Sequence, residues 1–294
     1  MTRDTEAASP RYRRLDAWPD DDILDALWEA QAAAVAVTRA ALPAVAAAAR
    51  AARERIGAQG RLVYVGAGSS GRIAFQDGVE LGPTFDWPDE RLLLLLAGGD
   101  GALRHAVEGA EDDTAAAAAA VAAHGLGADD VVLGVAASGR TPFPVTVLRL
   151  ARARGALTIG IASAAGPLLD AADHPILTET GAEVIAGSTR LKAATAQKVV
   201  LNLFSTLLMT RLGRVHDGRM VDMRLSNDKL RRRAADMVAE LAGCDAPAAA
   251  AALAQAGGRI KPAVLIARGH APDAALMLLR QHGFHLRPAL EASP

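Results

Sequence analysis

Short apolar runs alternate with helix-like stretches through the middle of the chain. RLVYV (61–65), LLLLLAGG (92–99), VVLGVAA (131–137) and LTIGIAS (157–163) each have the length of one buried strand, and HPILTET (174–180) is a weaker fifth. None shows clean two-residue alternation, which is the pattern of strands covered on both faces. Between them, 70–80, 101–110, 114–124, 142–154 and 188–212 read as helices, with Asp113 a candidate N-cap ahead of TAAAAAAVAA. Strand and helix in alternation predict a parallel sheet with crossover helices, an α/β fold. Residues 20–58 are alanine-rich with few breakers except Pro43, so they predict two helices or one kinked at Pro43. From about residue 229 the pattern is helical only, which predicts a small C-terminal helical bundle. The expected division is an N-terminal helical segment over 1–58, an α/β domain over 59–228 and a helical domain over 229–294.

Composition narrows the partners. Half of the 294 residues are apolar, enough for a real core, and the formal net charge is −1. That balance gives no reason to expect a nucleic-acid or anionic-membrane partner. The single cysteine, Cys244, cannot form an intrachain disulfide, and nothing in the sequence suggests a metal cluster. MTRDTEAASPRYRR lacks an apolar h-region, so no secretory signal is expected. The apolar stretches read as too short to span a bilayer, and VVLNLFSTLLMT, between Lys198 and Arg211, reads as a buried helix. The expectation is a soluble cytoplasmic protein.

Two loops carry the candidate chemistry. Gly66, Gly68 and Gly71 satisfy G-x-G-x-x-G after a strand, but the acidic residue that a dinucleotide fold wants after its next strand is missing. A phosphate loop of the Walker type fails because no Gly-Lys-Ser/Thr follows. The first loop instead offers Gly68-Ser69-Ser70-Gly71-Arg72, and VVLGVAASGRT repeats the layout with Ser138-Gly139-Arg140-Thr141. Both put serine hydroxyls and unpaired backbone N–H groups at a helix N-terminus, where the dipole favours an anion. One such loop could be an ordinary serine-capped turn; two with the same Ser-Gly-Arg triplet point to a phosphorylated small molecule, one loop on phosphate and one on polyol.

These residues also carry a resemblance. GAGSSGRIAFQDGVELGPTF, AGGDGALRHAVEGAEDD, GVAASGRTPF, GSTRLKAATAQKVVLNLFSTLLMTRLG and MVDMRLSNDKL together resemble the N-acetylmuramic acid 6-phosphate etherases, from about residue 30 to the end. These belong to a sugar-isomerase-domain superfamily that also holds phosphosugar isomerases and the glucokinase regulatory protein. The resemblance implies a flavodoxin-like, three-layer sugar isomerase domain with a central parallel sheet, a C-terminal helical domain, and a homodimer with active sites near the interface. It implies cleavage of the D-lactyl ether of a phosphorylated amino sugar with water, in peptidoglycan recycling, with no metal or organic cofactor.

That chemistry explains the carboxylates. In the open-chain aldehyde, C2–H is α to the carbonyl and the ether oxygen on C3 is β to it. A base at C2 and an acid at the ether oxygen expel lactate; the acid then turns base for the incoming water. The resemblance carries the two functional glutamates onto Glu80 in DGVELGPT and Glu111 in EGAEDD, with Glu111 the preferred base, although the assignment can be reversed. Taken alone, Glu80 reads as a surface residue and Glu111 as one member of an acidic run. GSTRLKAATAQK adds Ser188, Arg190 and Lys192 at the start of the long helix, as ligands for phosphate or lactyl carboxylate, or as an ordinary capped helix start.

The chain departs from the family pattern beside Glu80. Gly78-Val79-Glu80-Leu81-Gly82-Pro83-Thr84 stands where Ala-Ser-Glu-Cys-Pro-Pro-Thr is usual, Ala194 replaces a glycine, and Ser163-Ala164-Ala165-Gly166-Pro167 replaces Cys-Asn-Pro-Gly-Ser. Rival readings are a non-catalytic phosphosugar-binding regulator and an aldose–ketose isomerase. A sugar-sensing transcription factor would need a basic recognition helix, which the short N-terminal stretch with Asp20-Asp21-Asp22 does not offer.

Overall fold

The computed structural model describes residues 5–293. In chain order the elements are α1 (Asp20–Ile56), β1 (Leu62–Gly66), α2 (Gly68–Val79), α3 (Leu81–Phe85), β2 (Leu92–Leu96), α4 (Thr114–Ala123), β3 (Val131–Val135), α5 (Pro142–Ala153), β4 (Leu157–Ala162), α6 (Pro167–Asp170), β5 (His174–Leu177) and α7 (Lys192–Arg211). A two-residue ribbon follows, β6 (Val215–His216) and β7 (Arg219–Met220), then α8 (Asp228–Ala242), α9 (Ala246–Gln255), α10 (Ile260–Ala267), α11 (Pro272–Gln281) and α12 (Leu286–Glu291). The chain divides into two compact units. The first takes the residues up to Val79 and Asp89–Thr206; the second takes Glu80–Pro88 and everything from Leu207 on.

In the first unit five parallel strands lie in the order β2-β1-β3-β4-β5; the parallel sheet is the one the alternating pattern predicts, and its flavodoxin-like order is what the family resemblance implied. β1, β3 and β4 are buried at every position, so both faces are covered. Val63, Val65 and Val132 point into one core with Val121 of α4, Val147 and Leu148 of α5 and Leu168 of α6. Tyr64 turns to the opposite face, where its hydroxyl donates to Asp77 of α2 at 3.0 Å. Arg61 ties the starts of β1 and β3 through a bidentate pair with Asp130, both bonds 2.8 Å.

Three expectations change. α1 runs unbroken through Pro43, which sits on the exposed side of the helix, so the carbonyl that loses its partner there is left on the solvent side. Residues 101–110 are not a helix: two short 3₁₀ turns, Asp100–Leu103 and Ala110–Asp112, are separated by a bend, and Gly99 and Gly109 take φ of 70° and 72° at their starts. The apolar stretches are also not all too short for a bilayer. The 37 residues of α1 are long and apolar enough to cross one, with 33% of their most apolar window buried. Their buried stripe is almost all alanine, from Ala26 through Ala52 to Ile56, and it packs on β5, β4 and β3.

The second unit has a core of its own, built from α8 to α12 and the approach to them: Val221, Met237, Val238, Val264, Leu265 and Leu279. Lys261 is buried there, and its ammonium donates to Asp222 at 2.6 Å and to the carbonyls of Phe284 at 2.9 Å and Gly213 at 3.2 Å. Burial pulls the Lys261 ammonium below its ordinary value and pushes the Asp222 carboxyl up, while their mutual attraction opposes both shifts.

Candidate active site

β1 sends the chain to β2 on one side, whereas β3 lies on its other side. The crevice outside the carboxyl ends of these two strands is therefore the topological switch point of the sheet. Both serine loops end there. Ala67, Gly68, Ser69 and Ser70 follow β1, and Ala137, Ser138, Arg140 and Thr141 follow β3; together they line a cavity of about 440 Å³. That volume suits a small phosphorylated sugar.

The first loop can turn so tightly because its glycines let backbones touch. A Cβ on Gly66 would fall 2.6 Å from the Gly71 Cα, and one on Gly71 would fall 2.3 Å from Leu96. The start of α2 is thus pressed on the end of β1, and the first N–H groups of that helix face the crevice. The second loop is held by Gly139, at φ 69°, whose carbonyl accepts from the Leu168 N–H at 2.9 Å. Ser138 accepts from the Arg140 N–H at 3.2 Å, and Thr141 begins α5 without capping it through its own side chain. Two helix N-termini therefore converge on one cavity, an arrangement that favours an anion.

Glu111 lines the same cavity, with Asp112 beside it. It sits in the 3₁₀ turn directly before Asp113, which caps α4 by accepting from the Ala116 N–H at 2.8 Å. Glu111 also borders a second cavity of about 380 Å³, shared with Arg72, His105 and Glu108. The far end of the same connection is fixed by Arg72, which donates through Nε at 3.0 Å and Nη2 at 2.8 Å to the Ala102 carbonyl.

Glu80 is the residue before α3 and belongs to the second unit. Its segment is clamped within that unit. Arg214 donates to the carbonyls of Phe85 and Asp86 and stacks over the Trp87 ring at 5.2 Å. Arg224 pairs with Asp86 at 2.8 Å and donates to the Trp87 carbonyl at 3.0 Å.

Residues 44–152 match the glucokinase regulatory protein N-terminal SIS domain, and residues 114–207 match the SIS domain. An N-acetylmuramic acid 6-phosphate etherase of Deinococcus radiodurans is 49% identical over 98% of this chain and 95% of that protein. One from Streptomyces avermitilis is 44% identical over 100% of this chain and 95% of that one. The chain belongs to the N-acetylmuramic acid 6-phosphate etherase family. Among solved structures, a phosphoheptose isomerase from Francisella tularensis is similar at a TM-score of 0.48, with 19% identity over 66% of this chain and 100% of that one.

Of the residues that the sequence suggested for the ligand, Gly68, Ser69, Ser70, Ser138, Arg140 and Thr141 line the cavity, as does Glu111, which the resemblance supplied. Gly71 and Gly139 shape its loops, and Arg72 faces the neighbouring cavity. From the GSTRLK stretch it is Thr189 that lines the site, not Ser188, Arg190 or Lys192. Lys192 is buried, and its ammonium donates to the Thr180 carbonyl at 2.6 Å. The N-terminus of α7 is taken by Glu183, fully buried, which accepts from the backbone N–H groups of Lys192 at 2.9 Å and Ala193 at 3.0 Å. Glu6, Asp112 and Thr189 line the cavity without having been found in the sequence. For Asp112 and Thr189 the signal was adjacency to residues already singled out; Glu6 stands in a segment with no motif or periodicity. Among the described residues no group of three or more His, Cys, Asp or Glu is gathered to hold a metal ion.

Proposed function

We propose that this chain is an N-acetylmuramic acid 6-phosphate etherase. It cleaves the D-lactyl ether of its substrate by elimination and then hydration, giving N-acetylglucosamine 6-phosphate and D-lactate. Family membership supports the reaction, and the observation that carries the mechanism is Glu111 in one cavity with both serine loops. The N-terminal amides of α2, the hydroxyls of Ser69, Ser70 and Ser138, and Arg140 hold the phosphate and the chain of the open sugar. Glu111 removes the C2 proton, and the electron pair forms the C2–C3 double bond as the C3–O bond breaks. Glu80 gives the proton that lactate needs to leave, then takes one from the water that adds at C3, while C2 is reprotonated. The enzyme works as a homodimer. An exposed apolar stripe on α1, with Leu24, Trp28 and Val35 at 61%, 72% and 49% exposure, supports that assembly.

The test is incubation of the purified protein with N-acetylmuramic acid 6-phosphate in ¹⁸O-water, with D-lactate and sugar followed by mass spectrometry. The expected result is lactate release with ¹⁸O in the sugar. Glu111→Gln and Glu80→Gln are each expected to lower kcat by about 10²–10⁴-fold, the usual worth of a general acid or base. Tight binding without lactate release would move the chain to a regulatory role. Exchange of the C2 proton with ketose formation and no lactate would make it an isomerase.

A further inference from the structure

The second cavity, of about 380 Å³, lies over the carboxyl ends of β1 and β2, as the first lies over those of β1 and β3. Glu111 borders both, together with Ala67 and Gly68, yet the mechanism above uses only the first. We infer that the second cavity receives the acyl group on the nitrogen at C2 of the substrate, and that Val107 sets which acyl groups fit. Which group hangs on C2 rests on the etherase reading, with Glu111 as the base there; the entry of an acyl group into this cavity is tested by itself.

Small apolar side chains make most of its wall. Ala67 follows β1 and Ala97 follows β2, and the Ala97 N–H donates to the Gly66 carbonyl at 3.0 Å, which ties the two strand ends together. Ala102 stands in the first 3₁₀ turn, and Val107 and Ala110 come from the bend and the turn that follow it. Val107 is seated against Gly98, which takes φ of 83°: a Cβ there would fall 2.9 Å from the Val107 Cβ. Val107 is nevertheless 47% exposed while lining the cavity. A half-exposed valine in a wall of alanines is a surface that gains by being covered with hydrocarbon.

Glu111 fixes which part of the substrate reaches this cavity. A base at C2 must come within hydrogen-bond reach of the hydrogen on that carbon, and the acylated nitrogen is bonded to the same carbon. The acyl group therefore lies beside Glu111, while the phosphate, at the far end of the sugar chain, extends toward the serine loops. An acyl group is uncharged and ends in hydrocarbon, which suits alanine and valine; a phosphate or a lactyl carboxylate gains nothing from such a wall. Arg72, the guanidinium that borders the cavity, already gives Nε and Nη2 to the Ala102 carbonyl. The cavity is nearly as large as the first, so it has room for an acyl chain longer than acetyl.

Calorimetric titration of the full chain tests this with N-acetylglucosamine 6-phosphate, its N-propionyl analogue, and glucose 6-phosphate, which has a hydroxyl on C2. The wild type is expected to bind both acylated sugars about tenfold or more tighter than glucose 6-phosphate, the worth of a small apolar group in a fitted pocket. Val107→Phe fills the cavity and should cost the acylated ligands about tenfold, with glucose 6-phosphate within about twofold of wild type. Val107→Ala enlarges it and should shift preference from acetyl toward propionyl by about threefold, close to the value of one buried methylene. Equal wild-type affinity for all three ligands, or rejection of the propionyl analogue, would overturn the inference. So would equal losses for all ligands in Val107→Phe with no shift of preference in Val107→Ala, since Val107 would then only brace the connection. Weaker inhibition by D-lactate in Val107→Phe, with acylated sugars bound as before, would give the cavity to the lactyl arm and overturn it as well. Lactate release by the wild type is a separate readout: its absence sinks the etherase reading and leaves the acyl subsite standing on the titration.

Discussion

Four cations are among the residues that the sequence assigned to the ligand, and their surroundings divide them. Arg140 is exposed at the cavity and Arg190 is exposed outside its lining, whereas Arg72 and Lys192 donate to main-chain carbonyls. Arg140 is therefore the cation expected to act on phosphate. Arg140→Ala should raise KM and weaken inhibition by inorganic phosphate about tenfold, with Tm unmoved. Lys192→Met should do the reverse, costing about 1–3 kcal/mol of stability as the buried Thr180 carbonyl loses its donor, with KM little changed. Steady-state kinetics and thermal melts on both variants check the pair; a KM effect in Lys192→Met with normal stability would return that lysine to the ligand. The contrast marks what residue patterns carry. Glycine and serine after a strand specify a loop and its exposed donors, so the two serine loops were legible. A lysine at a helix start reads alike whether it faces a ligand or a buried carbonyl, because its partner, Thr180, comes from another part of the chain.

At the scale of elements, strands were the most readable, because runs of Val, Leu and Ile between breakers leave little choice for a sheet buried on both faces. The connection 97–113 was not, since Gly99 and Gly109 open tight turns whose geometry overrides a sequence that otherwise reads as helical. Nor does periodicity disclose the polar junction of three elements. Asp77 of α2 is buried, and it accepts from Tyr64 of β1 at 3.0 Å and from Asn202 and Ser205 of α7 at 2.7 and 3.2 Å. Burial pushes the Asp77 carboxyl above its ordinary range, against the pull of those three bonds and of Lys198. A carboxyl raised in the folded state favours folding while it is protonated. Its contribution is therefore full below the unfolded value of about 3.9 and is lost as pH rises through the folded one. Asp77→Asn removes that titration while keeping the shape. Urea unfolding from pH 4 upward should show the variant gaining on wild type as pH rises, by a margin that levels off once Asp77 is ionised. Parallel stability profiles would mean that the hydrogen bonds fully offset the burial.

At the scale of the whole molecule, α1 presents an exposed apolar stripe. One stripe of this helix, nearly all alanine, lets it lie close on the sheet; Leu24, Trp28 and Val35 form another at spacings of four and seven residues, on one flank and exposed. A tryptophan at 72% exposure in line with two aliphatic residues is costly to leave in water and is the residue type that anchors interfaces. This arrangement also explains why so apolar a helix can be read as a span: its hydrophobicity is divided between a face on the sheet and an exposed face. If a second copy covers the exposed face, the contact is isologous and one substitution acts twice. Trp28→Glu then places two like charges in a single apolar patch. Sedimentation equilibrium should find the wild type at twice the chain mass and Trp28→Glu at the 30.3 kDa of one chain, with an unchanged circular dichroism spectrum. A wild-type monomer would show that the stripe is not a dimer contact, and a variant that still dimerises would move the interface off α1. Lactate release by the monomeric variant would separate assembly from chemistry: activity retained at low protein concentration means that one chain carries a complete site, and activity lost with the dimer means that the site depends on its partner.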